Sequence, residues 1–478
     1  MRRVRRAGVL LAAAAAFAFL AIAPPERCPP VSVAELRASS QAAVDWFVRN
    51  QEPEGTWLYL YDAEEDEASP EYNVVRHAGV TMGLYQAAEA GFDGALESAD
   101  RGTQWAIEAL IEHDDWAAIE HLGQVQTGAG ALFAAGLAYR RETTGERRYD
   151  ELMRRLGRFL VAQTEESGAV LAYWDEDARE PVPGEYSKYY TGEAYWALAL
   201  LHRAFPGEGW DEAADRIGAY LASERDDVED YWPPIPDHWA AYGQAETVAL
   251  PGRGDEPLTE AEADYAREQA GYFGAATRWV SQQFGPWGSV VRPGDKPRGG
   301  GYGVMSEALT GWWLVARADP RLAELAQPIA ERALCTAGLA VREQAGAEEA
   351  AEAANPAAVE GAWFIDGETR MDDQQHALAG LIRTIPIVEA SAAEGASDSG
   401  ADAPAAWFWA LALLLALNPV RAAFGVPRAD RPPSEAVRIA SLGGIAGAAG
   451  LLAIAALGGP LLDALDASDP SFRTAAGI

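Results

Sequence analysis

Acidic and histidine side chains stand at or near the start of several segments that are otherwise rich in Ala, Gly and aromatic residues. They are Glu193, His238, Glu307, Asp373 and His376. A buried carboxylate must be paired or protonated, so such a group on an apolar helix suggests function. Two carboxyls, one protonated and one ionised, suit glycoside hydrolysis, whereas two histidine bases suit proton transfer at a sugar carbon. These five residues are the candidate catalytic groups, with Glu307 and Asp373 as the favoured carboxylate pair.

A repeat of about 58 residues must position these groups. Each copy has an amphipathic helix, a turn that carries a tryptophan and a more apolar second helix. An Ala/Glu-rich insert near 343–358 lengthens the last interval. The turn tryptophans are Trp57, Trp116, Trp174, Trp232, Trp287 and Trp363. A unit copied at a fixed period buries its apolar face only against its neighbours. The sequence therefore predicts an all-α fold, an (α/α)6 toroid of six outer and six inner helices over residues 31–390.

The predicted outer helices alternate charged and apolar faces, as in the segments 96–112 and 321–343. The inner helices should converge with their N-termini at one mouth, where free backbone N–H groups favour polar ligands. Aromatic and polar groups mixed around a funnel suit sugar rings. The candidate substrate-binding residues at this mouth are Arg76, His77, Gln126, Tyr189, Tyr190, Asp237, Trp239, Tyr302, Asp372 and Gln375.

Several of these residues also have a purely structural interpretation. Arg76 and His77 could form an ion pair or a cap with Glu71. Glu193 could complete a capping box, and the Asp372–Asp373 pair could compensate a helix dipole. The turn tryptophans are predicted to serve packing.

Two turns resemble a known motif. The segments Gln51-x-x-x-Gly55-x-Trp57 and Gln283-x-Gly285-x-Trp287 look like the QW motif of terpene cyclase and prenyltransferase toroids. The chain lacks the Asp-x-Asp-Asp acid of those cyclases; the segments 175–177 and 371–373 are imperfect substitutes.

The six-hairpin count resembles equally the six-hairpin glycosidase superfamily, which includes sugar epimerases. Arg76, His238 and His376 are similar in order to the Arg and the two His of the N-acylglucosamine and cellobiose 2-epimerases. That resemblance implies an epimerase whose two histidines are its bases. The family's His-x-x-Glu is absent, because Ala241 stands where the Glu would be.

Composition excludes some partners. The 478 residues carry a net charge of −34, which repels nucleic-acid phosphates, so no nucleic-acid partner is expected. The two cysteines, Cys28 and Cys335, are predicted to form neither a disulfide framework nor a metal cluster. Asp372, Asp373 and His376 are the nearest approach to a ligand set, yet we predict no metal and no cofactor. The Gly299–Gly301 run is interpreted as a lip over the mouth rather than as a phosphate loop.

Both termini have the composition of membrane segments. Residues 1–30 hold arginines followed by the apolar run 7–23, as in a signal anchor or signal peptide. Residues 391–404 form a predicted flexible linker, and 405–478 a two-helix membrane segment with apolar stretches at 405–417 and 439–457. This last segment resembles the opening helices of MarC-like membrane proteins. The basic residues of the termini predict a membrane protein with its toroid on the extracytoplasmic side.

The leading functional hypothesis is a membrane-anchored carbohydrate-active protein with glycoside-hydrolase-like carboxylate chemistry and a glycan substrate. The first alternative is a non-catalytic module that binds a glycan or a protein within a membrane assembly. Further alternatives are a sugar epimerase, a terpene-cyclase-like enzyme and a MarC-like membrane protein fusion. The sequence does not indicate an oligomeric state.

Overall fold

The computed structural model describes residues 26–229, 236–285, 288, 292 and 294–395. The chain divides into two compact units, Met1–Ser391 and Ala392–Ile478, and the description below concerns the first. Among the described residues, no helix combines the length and the hydrophobicity needed to cross a membrane. The predicted apolar runs at 7–23, 405–417 and 439–457 lie outside the described residues.

Twelve helices of the described chain alternate between an outer and an inner ring. The outer helices are α1 (Val33–Arg49), α3 (Ala95–Glu108), α5 (Asp150–Ala162), α7 (Trp210–Ser223), α10 (Glu260–Gln283) and α12 (Ala326–Glu343). The inner helices are α2 (Val74–Glu89), α4 (Thr127–Thr144), α6 (Tyr190–Ala204), α9 (His238–Ala249), α11 (Gly299–Ala318) and α15 (Met371–Gly395). Shorter helices are α8 (Arg225–Val228), α13 (Ala347–Glu352) and α14 (Pro356–Val359), and a 3-10 helix spans Pro320–Leu325.

Local sequence explains where several helices begin. Ser32 accepts a hydrogen bond from the N–H of Glu35, and the Glu35 side chain accepts one in return, so a capping box starts α1. Thr259 starts α10 in the same way. The inner helices α2 and α9 begin at Asn73 and Asp237, whose side chains accept from backbone N–H groups of the first turn.

The ring closes between the last repeat and the first. In the outer layer, the Trp46 indole on α1 donates a 2.8 Å hydrogen bond to the carbonyl of Ala358 on α14. In the inner layer, Gly79 and Gly83 of α2 leave room for the Gln375 side chain of α15. A Cβ added at Gly83 would lie only 3.0 Å from Cγ of Gln375. The predicted toroid is thereby confirmed as a closed arrangement rather than an open stack.

Short strands, which the sequence analysis did not predict, connect the helices. Strands β1 (Leu60–Asp62), β2 (Glu67–Ala68) and β8 (Glu368–Arg370) form one antiparallel sheet in the order β2-β1-β8. A second sheet joins, in order, β3 (Leu110–Glu112), β4 (Ala117–His121), β5 (Gln124–Gln126), β6 (Tyr173–Asp175) and β7 (Glu180–Pro181). The predicted all-α description therefore needs these two sheets added to it.

Two outer helices are shorter than the sequence predicts. Helix α3 ends at Glu108 because residues 110–112 pair with β4 instead, Leu110 opposite Ile119. The segment predicted from 321 starts as a 3-10 helix, with Pro320 at its first position and Asp319 accepting from the N–H of Arg321, before α12 continues. In both places a cap or a strand pairing overrides the helical periodicity.

The QW-like turn at 51–57 ties two repeats together. The Gln51 amide donates to the carbonyls of Gly55 and Ser98 and accepts from the Ser98 hydroxyl, and the Trp57 side chain is 2% exposed. Gly55 has a φ of +106° and lies against the carbonyl of Arg101 on the neighbouring outer helix. The structure thus gives Trp57 the packing role predicted for the turn tryptophans, and Gln51 links two neighbouring turns.

We expect Gly55→Ala to lower the free energy of unfolding by about 1–3 kcal/mol, because it adds backbone strain and a clash with a carbonyl. Gly91→Ala is the matched control. Gly91 also has a positive φ, +82°, but nothing lies within 4 Å of an added Cβ. Urea unfolding followed by circular dichroism measures both variants. Equal losses would show that the contact with Arg101 is unimportant.

The cysteines correct a prediction. Cys28 and Cys335 form a disulfide, with their Cα atoms 4.6 Å apart, although no disulfide was expected from the sequence. The segment that carries Cys28 lies along α12: Gly338 packs against the carbonyl of Pro29, and Glu26 forms ion pairs with Arg278 and Arg332. The prediction failed because it placed Cys28 beside a membrane segment, whereas this stretch of chain docks on the outer ring.

Candidate active site

A histidine–carboxylate pair lies at the centre of the candidate site. His376 Nδ1 of α15 lies 2.7 Å from Glu307 Oε2 of α11, and the Tyr242 hydroxyl of α9 donates a 2.6 Å hydrogen bond to Glu307 Oε1. Glu307 is fully buried. Both of its oxygens therefore have partners, and the carboxylate orients and charges the imidazole of His376.

A second histidine faces this pair. His238 is the first residue of α9 and is 3% exposed, and among the described residues neither of its ring nitrogens has a hydrogen-bond partner. Its ring centroid lies 5.1 Å from that of His376, at an interplanar angle of 77°. Trp239 and Tyr189 pack beside the two rings, and Tyr189 remains half exposed. The two predicted histidines are thus brought together.

The two imidazoles have opposite electrostatic surroundings. Burial, together with the nearby His376, holds the pKa of His238 well below its ordinary value. Burial also lowers the pKa of His376, but the charge of Glu307 and its hydrogen bond outweigh burial, so that the pKa is raised. The surroundings therefore favour the neutral form of His238 and the protonated form of His376.

The same three residues would also suit a metal ion. One ligand atom each from His238, Glu307 and His376 lie within 4.8 Å of one another. Two imidazoles and a carboxylate are a common ligand set for divalent transition metals. The ligand group suggested by the sequence, Asp372, Asp373 and His376, is different, because Asp372 is held by arginines.

Those arginines organise a second part of the site. The Asp372 carboxylate accepts from Arg76 at 3.0 Å and from Arg370 at 2.5 Å, and Arg76 also contacts the hydroxyl of Tyr59. Burial raises the pKa of Asp372, but the hydrogen bond from Arg370 and both positive charges reverse this, so the pKa is lowered. Arg76 thus pairs with Asp372 instead of the suggested Glu71.

The neighbouring Asp373 has a different character. Burial and the charge of Asp372 raise the pKa of Asp373 to about 6. Its nearest cation is Arg298, 3.6 Å away. The adjacent carboxyls therefore differ in protonation near pH 6, a pattern that often marks acid–base sites.

Glu193 is a buried carboxyl with no compensating cation in the described part of the chain. It is 3% exposed, its Oε2 atom lacks a hydrogen-bond partner, and it lies against Gly128 of α4. Burial, reinforced by the charge of Asp237, raises the pKa of Glu193 well above its usual range. No capping hydrogen bond starts α6, so Glu193 is not the capping residue considered from the sequence.

Asp237 and His77 are buried, and each is held by contacts with neighbouring residues. Asp237 caps α9 and forms a 2.6 Å ion pair with Arg225, a residue that the sequence analysis missed. His77 is fully buried: its ring nitrogens lie 2.7 Å from the Tyr72 hydroxyl and 2.9 Å from the Gly102 carbonyl. Burial lowers the pKa of His77 to about 4, so this ring stays neutral.

The remaining predicted residues occupy separate positions. The Tyr190 hydroxyl donates a 2.9 Å hydrogen bond to Gln126, which joins α6 to the end of β5. Gln375 is buried between α15 and α2. Tyr302 is 1% exposed, and no hydrogen-bond partner for its hydroxyl is found within the described ranges. The sequence analysis also missed Arg298, which joins the Gly-rich lip to Glu368 and Asp373.

Comparisons with known proteins show the fold. No protein-family model matches this chain, and no curated protein matches it. Among solved structures, a cellobiose 2-epimerase from Spirochaeta thermophila superposes with a TM-score of 0.52 at 15% identity, covering 75% of this chain and 98% of that one. A D-mannose isomerase gives 0.51 at 13%, covering 74% and 98%. The GH76 alpha-mannanase of Bacteroides thetaiotaomicron gives 0.51 at 9%, covering 75% and 97%.

These identities are too low to transfer an activity, and the similarity shows the fold alone. The toroid predicted from the repeat is confirmed: this chain shares the (α/α)6 toroid fold of these solved structures.

Proposed function

We propose that the toroid catalyses proton transfer at the carbon beside the carbonyl of an open-chain sugar, as in epimerisation at C2 or aldose–ketose isomerisation. The observation that carries the proposal is the buried pair of His238 and His376, whose ring centroids are 5.1 Å apart. Of the two rings, only that of His376 contacts Glu307. A neutral base beside a charged acid is what such a reaction needs.

The steps balance with these two groups. Neutral His238 removes the C2 proton, and the electron pair of the C–H bond forms the double bond of an enediol while the carbonyl oxygen takes up negative charge. The positive charge of protonated His376 stabilises that oxygen. For epimerisation, His376 then delivers its proton to the opposite face of C2 while the C1 carbonyl re-forms, and exchange with water returns the two histidines to their starting protonation states. For isomerisation, a proton moves from O2 to O1, C2–O becomes the carbonyl, and His238 returns its proton to C1.

The comparisons support this proposal at the level of fold, because two of the similar structures are a cellobiose 2-epimerase and a D-mannose isomerase. The chain differs from the epimerases at one position that bears on His238. Position 241 is an alanine, so no carboxylate follows His238 at the spacing that the epimerases use. Without that partner His238 keeps a low pKa, which suits a base that works in its neutral form.

Hydrogen exchange tests the proposal directly. The protein is incubated in D2O with a panel of neutral reducing aldoses and disaccharides, and proton NMR follows the C2–H signal and any new sugar. We expect at least one aldose to lose this signal. Methyl glycosides, which cannot open to a carbonyl, should not exchange. A folded protein that exchanges no sugar in the panel would refute the proposal.

A second candidate is glycoside hydrolysis, which the sequence analysis favoured. The specific observation in its favour is the pair of carboxyls with divergent pKa values, lowered at Asp372 and about 6 at Asp373. Against it, both oxygens of Glu307 are engaged by Tyr242 and His376. Release of reducing ends from oligosaccharides, without C2–H exchange, would favour this candidate. Saturable binding without any turnover would instead favour a glycan-binding module.

We also propose that the toroid lies on the extracytoplasmic side of a membrane, as the charge pattern of the termini predicts. The Cys28–Cys335 disulfide supports this placement, because disulfides persist in oxidising compartments. We expect both thiols to resist alkylation in protein taken directly from cells and to react after reduction. Two freely reactive thiols without reductant would contradict the placement.

A further inference from the structure

His238, Glu307 and His376 have a spacing close to that of metal ligands. One ligand atom from each of the three side chains lies within 4.8 Å of the other two. A tetrahedral zinc ion holds its ligand atoms about 3.4 Å apart, so a movement of about 0.7 Å by each of two side chains would close the longest allowed spacing. Three separate helices, α9, α11 and α15, therefore bring these groups close to the bonding distances of a single ion.

His238 gives an observation that is independent of this spacing. Its side chain is 3% exposed, yet neither ring nitrogen has a hydrogen-bond partner in the part of the chain that the structure describes. A buried polar group without a partner has lost its hydration without compensation. A bond from the imidazole lone pair to a metal ion provides that compensation. The Trp239 ring, with its centroid 4.4 Å away, packs against the imidazole and restricts its orientation.

The carboxylate of this group is already oriented by a neighbour. The Tyr242 hydroxyl donates a 2.6 Å hydrogen bond to Glu307 Oε1, while Glu307 Oε2 lies 2.7 Å from His376 Nδ1. Carboxylates that bind metals are commonly held by hydrogen bonds of this kind, which reduce the freedom that the ligand loses on binding. Tyr242 therefore supports Glu307 as a metal ligand without contacting the ion.

The group is buried but has one open side. Glu307 is fully buried and His238 nearly so, whereas the His376 side chain keeps 17% of its surface exposed. The half-exposed Tyr189 packs on His238, with 6.4 Å between the ring centroids. An ion can therefore enter past His376 and reach ligand atoms that face one another rather than the solvent.

The donor atoms select the class of ion. Two imidazole nitrogens and one carboxylate oxygen suit divalent transition metals such as Zn²⁺, whereas Mg²⁺ and Ca²⁺ prefer ligand sets made of oxygen. The sequence analysis predicted no metal, because it grouped His376 with Asp372 and Asp373. The structure instead pairs Asp372 with arginines and places His238 and Glu307 beside His376.

From the spacing, the unpartnered nitrogens of His238 and the oriented carboxylate, we infer a site for one divalent transition-metal ion of the Zn²⁺ class, which inhibits the enzyme when it binds. The ion uses the lone pair with which His238 removes the C2 proton. It also takes the place of the proton shared by Glu307 and His376, which passes to solvent. The metal site stands without the proposed reaction, and only its inhibitory effect rests on the proposed function.

Metal binding is measured on the purified full-length protein after treatment with a chelator. Calorimetry with Zn²⁺ gives the affinity and stoichiometry, and the visible absorption of bound Co²⁺ reports its coordination geometry. We expect one ion per chain. His238→Gln and His376→Gln should each weaken binding at least about 100-fold, because even the loss of a residue that only supports a ligand costs about 10- to 100-fold. Tyr242→Phe, which removes such a support, should weaken binding about 10-fold or more.

His113→Gln is the matched control. His113 Nε2 lies 3.1 Å from Glu176, so this ring also lies beside a carboxylate, but its other ring nitrogen faces Arg179 at 2.8 Å instead of a second histidine. We expect this variant to bind Zn²⁺ and Co²⁺ as the original protein does. Circular dichroism of every variant checks that the fold is intact.

Each outcome bears on one proposal. Equal Zn²⁺ binding in His238→Gln, or displacement of Zn²⁺ by an equal concentration of Mg²⁺, would show binding to surface carboxylates only and overturn the site, even if sugars exchange at C2. Binding that needs both histidines in a protein that exchanges no aldose would support the site and refute the proposed reaction. If both proposals hold, Zn²⁺ at ten times its Kd will lower C2–H exchange to about one tenth, and a chelator will restore it. Faster exchange with Zn²⁺ would overturn the inhibitory effect.

Discussion

Replacing His376 by Gln should reduce the conversion of one sugar epimer into the other by about 10²- to 10⁴-fold, the usual contribution of a positioned acid or base. His376 is the group that we expect to supply the proton to the new face, and glutamine cannot donate an equivalent proton. His238→Gln should reduce conversion by a comparable factor. Gas chromatography or NMR of the sugar products measures this rate.

The two variants should differ in hydrogen exchange. Because His238 remains in His376→Gln, it can still remove the C2 proton and return deuterium to the same face, so exchange with retention should outlast conversion. In His238→Gln both exchange and conversion should fall when the starting sugar presents its C2 proton to position 238. Chain-wide damage would instead lower both rates equally in both variants.

His202→Gln provides the matched control. His202 lies on α6 with Nδ1 3.2 Å from a carboxylate oxygen of Asp211, so its ring also lies beside a carboxylate, but away from the site. We expect its rates to remain within about twofold of the original protein. Full activity in His238→Gln or His376→Gln would remove the basis of the proposed reaction.

Much of the fold was predictable because tryptophans recur at a regular spacing along the sequence and mark each repeat. A Trp-bearing turn in each repeat and the alternation of amphipathic and apolar helices specify twelve helices, and the described residues contain them in the predicted alternation of outer and inner helices. The short strands were not predictable in this way. Strand β1 pairs with β8, some 300 residues away, and neither has more than three residues. Such pairing follows from ring closure and not from local periodicity.

Three of the candidate residues that lie close together were predictable from the sequence, but the contacts between them were not. His238, Glu307 and His376 stood out as ionisable groups on apolar helices, and they do converge. The partners that decide their protonation come from other helices, and no local spacing shows that Tyr242 and His376 share Glu307. His77 was predicted to bind substrate because it lies near the start of an inner helix. In the structure its ring is buried against the aromatic rings of Trp57 and Trp105.

The disulfide and the arginines missed by the sequence analysis share a physical reason. Cys28 and Cys335 are separated by 307 residues and meet only because the ring closes. Arg225 lies just after the outer helix α7, yet its guanidinium pairs with Asp237 at the start of α9, while Arg298 bridges the lip to β8 and α15. Contacts of this kind depend on tertiary geometry and not on helical periodicity.

Glu307→Gln should move the high-pH limb of activity to lower pH and reduce turnover at pH 8 by about 10- to 100-fold. The imidazole of His376 must be protonated to act as the acid. Burial opposes protonation, and Glu307 reverses this through its charge and its hydrogen bond, which raises the pKa of His376. Glutamine keeps a hydrogen-bonding carbonyl but not the charge, so burial prevails and the ring loses its proton at lower pH. The low-pH limb, set by His238, should move little.

The same pairing makes stability depend on pH, and the sign follows from the raised pKa. Because the folded pKa of His376 exceeds the unfolded value of about 6.5, the stabilisation is fully present below that value and is lost as pH rises through the folded pKa. Thermal unfolding between pH 5 and 9 should show this loss in the original protein. It should not appear in Glu307→Gln. Glu246→Gln is the matched control, because Glu246 lies on the same helix as His238 and forms a 2.6 Å ion pair with Arg203. This variant should retain the loss of stability at high pH. An unchanged pH profile in Glu307→Gln, for both turnover and unfolding, would mean that His376 does not owe its charge to Glu307.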